Sequence, residues 1–301
     1  MRQVTCPVCF TSPSLLPIPF SRVVCTCCQV TWTYVQDELD SEALYRDEVY
    51  AIVDNRKSVF ERIIFYEAQK ILKKAQDIGI SSNRVLDFGS GKGQFLAVAK
   101  QKGWQGMGIE TEQVRAEFAR EKYCVEVICG YYQGGKVSDI RVDLITLNHV
   151  LEHLPQPIQL IHALVQDNLT AEGLLYIEVP RADSWQAGIA GDAWIHWDIP
   201  KHLTHWTETG LELEFSKIGF QKVSTRSFSI HLGVLGMLQA LLSKVGFKEN
   251  LILRLKRKKT LGLLILIGLV LPIAWGLEVV SCGFGKSGIV GIYLKRNGQL
   301  G

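Results

Sequence analysis

Apolar runs and amphipathic segments alternate along the chain from about residue 84 to residue 228. The apolar runs predict strands at 84–88, 105–110, 125–129, 142–148, 173–179 and 219–228. The segments with one apolar face predict helices at 94–100, 112–122, 157–168 and 207–218. Alternating strands and helices are typical of a parallel sheet with helices on both faces. A further alternating segment, 287–296, predicts a last strand.

A helix is predicted before this region, and an apolar stretch interrupts the region near its end. Between 58 and 76, apolar residues recur at the spacing of one helix face, and Gly79 is a suitable stop. The 18 residues 260–277 carry no charge, and 230–243 is a second uncharged, largely apolar stretch. A helix of 18 residues is about 27 Å long, close to the hydrocarbon thickness of a bilayer.

The apolar stretch favours a helical hairpin over a membrane crossing. The strand at 287–296 is expected to pair beside 219–228, and a single crossing between them would separate the two strands. Two apolar helices can instead dip into one leaflet, with the cationic segment 254–259 near anionic headgroups. We therefore expect peripheral membrane contact through about 230–280. An internal helix pair or a dimer face would explain the same pattern, and the sequence does not indicate an oligomeric state.

The charge of the chain and its first residues disfavour a nucleic-acid-binding protein and a secreted protein. The chain has 301 residues, 47% of them hydrophobic, and a formal net charge of +3, which is small for a dedicated nucleic-acid-binding protein. The first residues contain no apolar stretch of the length that a secretory signal needs, so we expect a cytoplasmic protein, attached peripherally, if at all, to the inner face of the membrane.

Five of the eight cysteines lie in the first 28 residues. Cys6-x-x-Cys9 and Cys25-x-x-Cys28 form two pairs with 15 residues between them, a spacing that favours a tetrahedral structural zinc site in a reducing compartment. Cys27 could replace Cys28 by spacing alone. Four thiolates leave no open coordination position, so the predicted zinc is structural and not catalytic. We predict a zinc ribbon at 1–40, a linker helix within 41–80, and a main domain at 81–301 with an apolar insert at about 231–282.

A glycine-rich turn follows the first predicted strand of the main domain. Gly89, Gly91 and Gly93 lie between this strand and a helix, where glycine allows a tight turn and a close approach to a ligand. The spacing G-x-G-x-G, preceded by Asp87, differs from the G-x-G-x-x-G of dinucleotide-binding folds. Glu110 ends the second strand, 23 residues after Asp87, where a carboxylate can accept hydrogen bonds from both hydroxyls of a ribose.

These motifs resemble those of class I S-adenosylmethionine (SAM)-dependent methyltransferases. The segment Val85–Leu96 is similar to their first motif, 107–110 to the acidic end of their second strand, and Asp143–Pro155 to a fourth-strand motif of the subgroup that includes ubiquinone-pathway methyltransferases. The resemblance implies a Rossmann-like α/β fold with a seven-stranded sheet. It also implies that the residues of the SAM site are Asp87, Gly89, Ser90, Gly91, Gly93, Glu110, Asn148 and His149. Glu110 would hold the ribose, and Asn148 and His149 would border the sulfonium.

The segment after the fifth strand is rich in histidine and tryptophan. It contains His196, His202 and His205 and four of the seven tryptophans, a composition that suits a water-poor pocket for a methyl acceptor. We predict His202 as the general base or acceptor-orienting residue, with His205 second. The alternative is that these histidines only tie the segment to the rest of the fold.

The sequence thus predicts a SAM-dependent methyltransferase that acts on a small-molecule or lipid-linked acceptor, such as a sugar-, quinone- or polyketide-like compound. One alternative is an RNA methyltransferase guided by the zinc ribbon, although Arg2 and Arg22 are the only cations before residue 40. A second alternative is a non-catalytic SAM-binding scaffold at a membrane.

Overall fold

The computed structural model describes residues 5–12, 22–34, 54, 56–80, 82–247, 249–251, 254–255, 258 and 260–298. They form two compact units. The cysteine unit contains the described residues of Met1–Ala51, Pro180–Glu208 and Arg226–Val290, and the sheet unit contains those of Ile52–Val179, Thr209–Thr225 and Gly291–Gly301. The predicted domain boundaries stay predictions, and residues 41–53 of the predicted linker lie outside the described residues.

The strands within the described residues are β1 (Arg22–Val24), β2 (Thr31–Thr33), β3 (Arg84–Phe88), β4 (Gln105–Glu110), β5 (Glu126–Cys129), β6 (Val142–Asn148), β7 (Leu169–Pro180), β8 (Thr204–His205), β9 (Phe220–Arg226) and β10 (Ile289–Arg296). The helices are α1 (Val59–Asp77), α2 (Gln94–Gln101), α3 (Gln113–Phe118), α4 (Pro157–Asn168), α5 (Trp185–Ala190), α6 (Glu208–Lys217), α7 (Leu235–Lys244) and α8 (Leu261–Gly283).

Seven strands form the main sheet, in the order β5-β4-β3-β6-β7-β10-β9. β3 pairs in parallel with β4 and β6, and the pairs β4–β5 and β6–β7 are also parallel. The last strand, β10, lies next to β9, as the sequence predicted. The predicted Rossmann-like α/β fold is confirmed, together with the apolar helices before the last strand.

Helix α1 belongs to the hydrophobic core of the sheet unit. The side chain of Ser58 caps its N-terminus by accepting a hydrogen bond from the amide of Glu61. Its apolar stripe, which includes Ile71 and Leu72, packs with residues of α2 and of the central strands. Burial of each such side chain contributes about 1.5–3 kcal/mol to folding. On β10, the Tyr293 hydroxyl donates to the carbonyl oxygen of Ile71 at 3.2 Å, which fixes α1 on the sheet.

Two predicted elements differ from those observed. The strand expected at 173–179 begins at Leu169, because α4 passes directly into β7 and Leu169 already pairs with Val142. The helix expected at 112–122 is regular only in α3, and a wider helical turn follows at Ala119–Tyr123. This turn ends at Cys124, which adopts a left-handed conformation with φ of 53°.

The cysteine unit has its own sheet and its own apolar cluster. β2 pairs antiparallel with both β1 and β8. A strand of the cysteine-rich segment (the predicted zinc ribbon, 1–40) thus pairs with a strand of the histidine-rich segment (194–206). α7 and α8 form the apolar cluster around Met237, Leu238, Leu242, Leu263 and Ala274. α7 follows a wide helical turn at Ile230–Val234, so both predicted apolar helices are present.

Candidate active site and metal centre

The glycine-rich turn after β3 has the conformation that glycine permits. Gly89, Gly91 and Gly93 have φ of 74°, 53° and 75°, in the left-handed region that side chains with a Cβ rarely adopt. A Cβ on Gly93 would lie 2.7 Å from the Cβ of Ala119, so this glycine also permits close packing of α2 on the turn after α3. A Cβ on Gly91 would meet nothing within 4 Å. The middle of the turn therefore faces open space.

Glu110 connects the end of β4 to this turn. One of its carboxylate oxygens accepts a hydrogen bond from the Gly91 amide at 2.7 Å, and the other accepts one from the Glu112 amide at 2.9 Å. The residue is only 5% exposed. A carboxylate oxygen can accept more than one hydrogen bond, so Glu110 can still bind hydroxyl groups of a ligand while it holds the turn.

Asp87, near the end of β3, is buried beside the carboxyl end of β6. The Thr146 hydroxyl donates to its carboxylate at 2.6 Å, and the Asn148 amide donates at 3.4 Å. Burial raises the pKa of Asp87 to about 7, although both hydrogen bonds act to lower it. The structure therefore places Asn148 against Asp87, and each keeps the other oriented.

Two features of the turn fit a polar cofactor. The Ser90 hydroxyl is buried and has no hydrogen-bond partner within the described residues, which is costly unless a ligand or water supplies one. No side chain caps the N-terminus of α2, which begins directly after the turn, so its first amides can donate to a ligand. With the open space at Gly91, these groups fit the polar portion of a cofactor.

His149 lies between two buried carboxylates of the sheet unit. Its Nε2 is 3.1 Å from an oxygen of Glu178, its Nδ1 is 3.6 Å from an oxygen of Glu152, and its backbone amide donates to the Glu178 carbonyl at 2.8 Å. Burial alone would lower the pKa of His149, but the two carboxylates outweigh it and raise the pKa to about 9. The raised pKa favours the imidazolium form of His149 at neutral pH.

His149, Glu178 and Glu152 form an ion cluster that the sequence did not indicate. Glu178 also accepts a hydrogen bond from the Tyr176 hydroxyl two residues earlier on β7. The predicted position of His149 beside the sulfonium stays a prediction. The observed contacts show that its imidazole also pairs with both carboxylates. The only signal in the sequence was the presence of acidic residues at the ends of strands and in the segment 151–153.

His149 should make folding stability depend on pH in a specific window. Its pKa in the folded state, about 9, is above the ordinary value of 6.5, so the stabilisation is complete below pH 6.5 and is lost as the pH rises through about 9. In the wild type, we expect the free energy of unfolding to fall by about 1–3 kcal/mol over this pH range, and in His149→Asn we expect this fall to be absent. Asparagine is chosen because it tolerates the positive φ of 56° at this position. Urea unfolding between pH 6 and about 9.5 measures this fall.

His162→Gln is the matched control, because this histidine is exposed on α4 of the same unit. The control should keep the wild-type loss of stability at alkaline pH. An equal loss in His149→Asn and the wild type would contradict the assigned ion cluster.

The histidine-rich segment lies in the cysteine unit, and its hydrogen bonds determine the tautomer of His202. Nδ1 of His202 is 2.8 Å from the carbonyl oxygen of His196. A carbonyl oxygen only accepts, so Nδ1 must carry a proton in this bond, and Nε2 of the neutral ring is the basic nitrogen. The side chain is largely buried, at 7% exposure. A neutral His202 would therefore have its basic nitrogen at Nε2, as a general base acting through that atom requires.

His205 is held by the cysteine-rich segment. The Thr33 hydroxyl donates its single proton to the His202 carbonyl oxygen at 2.7 Å, and the same hydroxyl oxygen is 2.9 Å from Nε2 of His205. Nε2 of His205 must then be the donor in the second bond, so it carries a proton and is not basic. For His205, these contacts agree with the alternative that the histidine ties its segment to the fold.

Aromatic residues pack against His205. The rings of Trp194 and Trp197 meet edge to face with centroids 4.8 Å apart, and Trp197 lies 4.9 Å from His205 in the same way. Arg22 on β1 stacks on Trp197 at 3.9 Å and pairs with Asp192. The cysteine-rich and histidine-rich segments are therefore joined by strand pairing, hydrogen bonds and a cation–π contact.

The four predicted zinc ligands lie together. The Sγ atoms of Cys6, Cys9, Cys25 and Cys28 are all within 4.8 Å of one another, with 3.7 Å between Cys6 and Cys28 and 3.4 Å between Cys9 and Cys25. Four sulfurs that bind one zinc ion at about 2.3 Å would be about 3.8 Å apart. Cys27 is exposed and outside the cluster. The donor set and spacing fit a closed tetrahedral site.

Both cysteine pairs have the same local structure. The amides of Phe10 and Gln29 donate to the carbonyl oxygens of Cys6 and Cys25, each at 2.9 Å, and both residues have φ of 61°. These matching turns direct both thiols of each pair to one point. Thr11 adds a hydroxyl 3.0 Å from the Cys9 sulfur, which can stabilise a thiolate there.

A shallow cavity elsewhere in the sheet unit lies at the opposite end of the strands from the glycine turn. Arg84, Gln105 and Glu126 line it, and each begins one of three neighbouring parallel strands. Ligands of open α/β sheets bind at the opposite, carboxyl ends of the strands, where the glycine turn and Glu110 are.

The fold and the glycine turn together define a methyltransferase of the SAM-dependent class. Residues 60–225, more than half of the chain, match a family model described as a methyltransferase domain. This chain therefore belongs to that methyltransferase family, and it is a SAM-dependent methyltransferase. The resemblance of the sequence motifs to class I SAM-dependent methyltransferases is thus confirmed for the family.

Solved structures support the same fold. A SAM-dependent methyltransferase from Archaeoglobus fulgidus superposes with a TM-score of 0.53 at 16% identity, over 83% of this chain and 100% of that one. A protein from Galdieria sulphuraria, described as a candidate sarcosine dimethylglycine methyltransferase, gives 0.53 at 14% identity, over 79% of this chain and 88% of that one. A comparison with curated protein sequences gives no match.

Proposed function

We propose that this enzyme transfers a methyl group from SAM to a small-molecule or lipid-linked acceptor, such as a sugar-, quinone- or polyketide-like compound. The observation that carries the proposal is the buried Glu110 carboxylate beside the open turn at Gly91. Bound SAM would supply a methyl group on a sulfonium, already activated for displacement. Asp87, Gly89, Ser90, Gly91, Gly93, Glu110, Asn148 and His149 are the proposed SAM-binding residues.

His202 is the proposed general base. An acceptor hydroxyl or amine must lose a proton when it is methylated, and a neutral imidazole with a basic Nε2 can take it. The hydrogen bond from Nδ1 to His196 supports this role, because it holds the ring in the required tautomer. His205 keeps a positioning role, since its Nε2 is engaged with Thr33.

RNA is a weaker candidate for the acceptor. Arg22 is the one cation in the described part of the cysteine-rich segment, and it is engaged with Trp197 and Asp192. An RNA-guiding module would be expected to present several free cations to phosphate groups.

Glu110→Gln tests the cofactor site. The glutamine amide would place N–H groups where backbone N–H donors already point, and it would lose acceptor capacity for the ribose hydroxyls. We expect the affinity for SAM and for its demethylated product to fall about 10- to 100-fold, measured by calorimetry.

Glu126→Gln, an exposed change at the amino end of β5, is the matched control and should bind as the wild type does. Wild-type protein without affinity for SAM or its product would end the proposed function. Equal affinity in Glu110→Gln and the wild type would remove Glu110 from the site.

Methyl transfer identifies the acceptor class and tests His202. Tritiated SAM, incubated with protein and with separated lipid, RNA and small-molecule extracts, should label the lipid or small-molecule fraction. Label confined to RNA would support an RNA methyltransferase instead.

The labelled fraction then serves as the substrate for a test of His202. His202→Gln should lower turnover about 10²- to 10⁴-fold while the affinity for SAM is kept. Full turnover in His202→Gln would exclude its role as base.

Zinc is proposed at the four-cysteine cluster, where it would order the histidine-rich segment through β2. We expect about one zinc ion per chain in the wild type and in Cys27→Ser, and a loss of zinc in Cys28→Ser, measured by elemental analysis. Without zinc, amide hydrogen exchange should become faster in β2 and in β8, which pairs with it. Unchanged exchange in zinc-free protein would show that the metal does not support this sheet.

A further inference from the structure

Helix α8 has an inverted distribution of polar and apolar residues. Its only charged residue, Glu278, is fully buried, and so is Ser281. The opposite face is apolar, and the side chains that are 44–75% exposed are Leu261, Leu264, Ile265, Leu269, Ile273, Trp275, Val279 and Val280. A helix on a water-facing surface has its polar side outward, so this face suits an apolar surrounding.

The buried polar side of α8 is fixed to the cysteine unit. One carboxylate oxygen of Glu278 accepts a hydrogen bond from the Gly288 amide at 2.8 Å, and the other accepts one from the Gln186 side chain at 3.2 Å. Gln186 also donates to the Gly233 carbonyl at 2.9 Å. Leu263 and Ala274 pack on α7 in the apolar cluster. One side of the helix is thus bound to protein along most of its length.

A dense cationic segment precedes the exposed apolar face. Residues 244–260 contain seven lysine or arginine residues and one acidic residue, Glu249, whereas 261–277 contain no charge. Lys258 is exposed, just before α8 begins. An apolar face beside a cationic segment is the combination that binds anionic lipid surfaces, where headgroups meet the cations and acyl chains meet the apolar side chains.

We propose that the exposed face of α8 inserts into one leaflet of an anionic lipid membrane, with the helix lying in the plane of the surface. α8 is long and apolar enough to cross a bilayer by length and composition. Crossing would, however, take Glu278 from Gln186 and Gly288 into hydrocarbon, which is costly. Insertion in the plane leaves these bonds intact. A second copy of the chain would cover the apolar face but would bring the same cationic segment and no matching anionic surface.

Membrane attachment does not depend on the proposed function, but its consequence for the acceptor does. An enzyme held at a lipid surface by α8 would have access to acceptors that are dissolved in or anchored to that surface. Among the proposed acceptors, this favours the lipid-linked class, a choice that rests on the proposed methyl transfer.

Vesicle sedimentation of the full chain tests the proposal. We expect binding to vesicles of phosphatidylcholine and phosphatidylglycerol at about 2:1, and binding at least about 10-fold weaker to phosphatidylcholine alone. Leu269→Asp and Ile273→Asp should each weaken binding to the anionic vesicles at least about 10-fold. Val114→Asp and Ile140→Asp, which change exposed apolar residues of the sheet unit, are matched controls and should bind as the wild type does.

Trp275 reports insertion directly. Its fluorescence should be quenched by lipids brominated on the acyl chains, and the quenched component should be absent in Trp275→Phe. No sedimentation of the wild type, or equal sedimentation of Leu269→Asp, would overturn the proposal. A wild-type dimer that Leu269→Asp dissociates, in a protein that does not bind vesicles, would also overturn it and would make the exposed face a dimer contact. Protection of part of the chain from a protease added outside the vesicles would overturn it too, because it would indicate that α8 crosses the bilayer. SAM calorimetry on the same samples separates these results from a failure of the proposed function.

Discussion

The sheet unit depends on one buried carboxylate that holds two neighbouring strand ends together. Glu110 accepts hydrogen bonds from Gly91, in the turn after β3, and from Glu112, just beyond its own strand. The carbonyl of Ile109 adds to this connection by accepting from the amides of Gly89 and Ser90, both at 2.9 Å. A buried carboxylate without such donors would cost several kcal/mol. The hydrogen bonds that make Glu110 tolerable thus also shape the turn that faces the proposed cofactor.

Two other ionisable groups near these strand ends, the buried Asp87 and the half-buried His149, are stabilised in opposite ways. Among the described residues, the donors to Asp87 are the neutral side chains of Thr146 and Asn148, and burial raises the pKa of Asp87 to about 7. His149 has two carboxylate neighbours, which raise its pKa to about 9 in spite of burial. The charge of His149 is thus tied to its two carboxylate neighbours, whereas the charge of Asp87 can respond to a ligand. A cationic ligand beside Asp87 would favour its ionised form, because opposite charges stabilise each other at low dielectric.

Local patterns in the sequence predicted the strands, the glycine turn and the cysteine cluster, because each depends on residues close together in the chain. Gly93 needs left-handed backbone, and Cys25 and Cys28 share one tight turn. The missed contacts join distant parts of the chain, such as Thr33 with His205 and Gln186 with Glu278, which are 172 and 92 residues apart. No periodicity or spacing encodes such pairs. The contact of His205 with Thr33 is an example, since its partner lies in the predicted zinc ribbon, and the catalytic role predicted for His205 stays a prediction.

The environment of α8 also could not be predicted from the sequence, because its composition does not show which side of the helix contacts the rest of the protein. Hydropathy counts how many residues in 261–283 are apolar, and by that measure a membrane span, a core helix and a surface helix are alike. The direction of one side chain distinguishes them. Glu278 points into the cysteine unit, where a backbone amide and a side-chain amide bind it, so that side of the helix belongs to the protein. Because the polar side is already bound to protein, the apolar side is the one that faces the surroundings, and for this reason the proposed insertion takes that side into lipid.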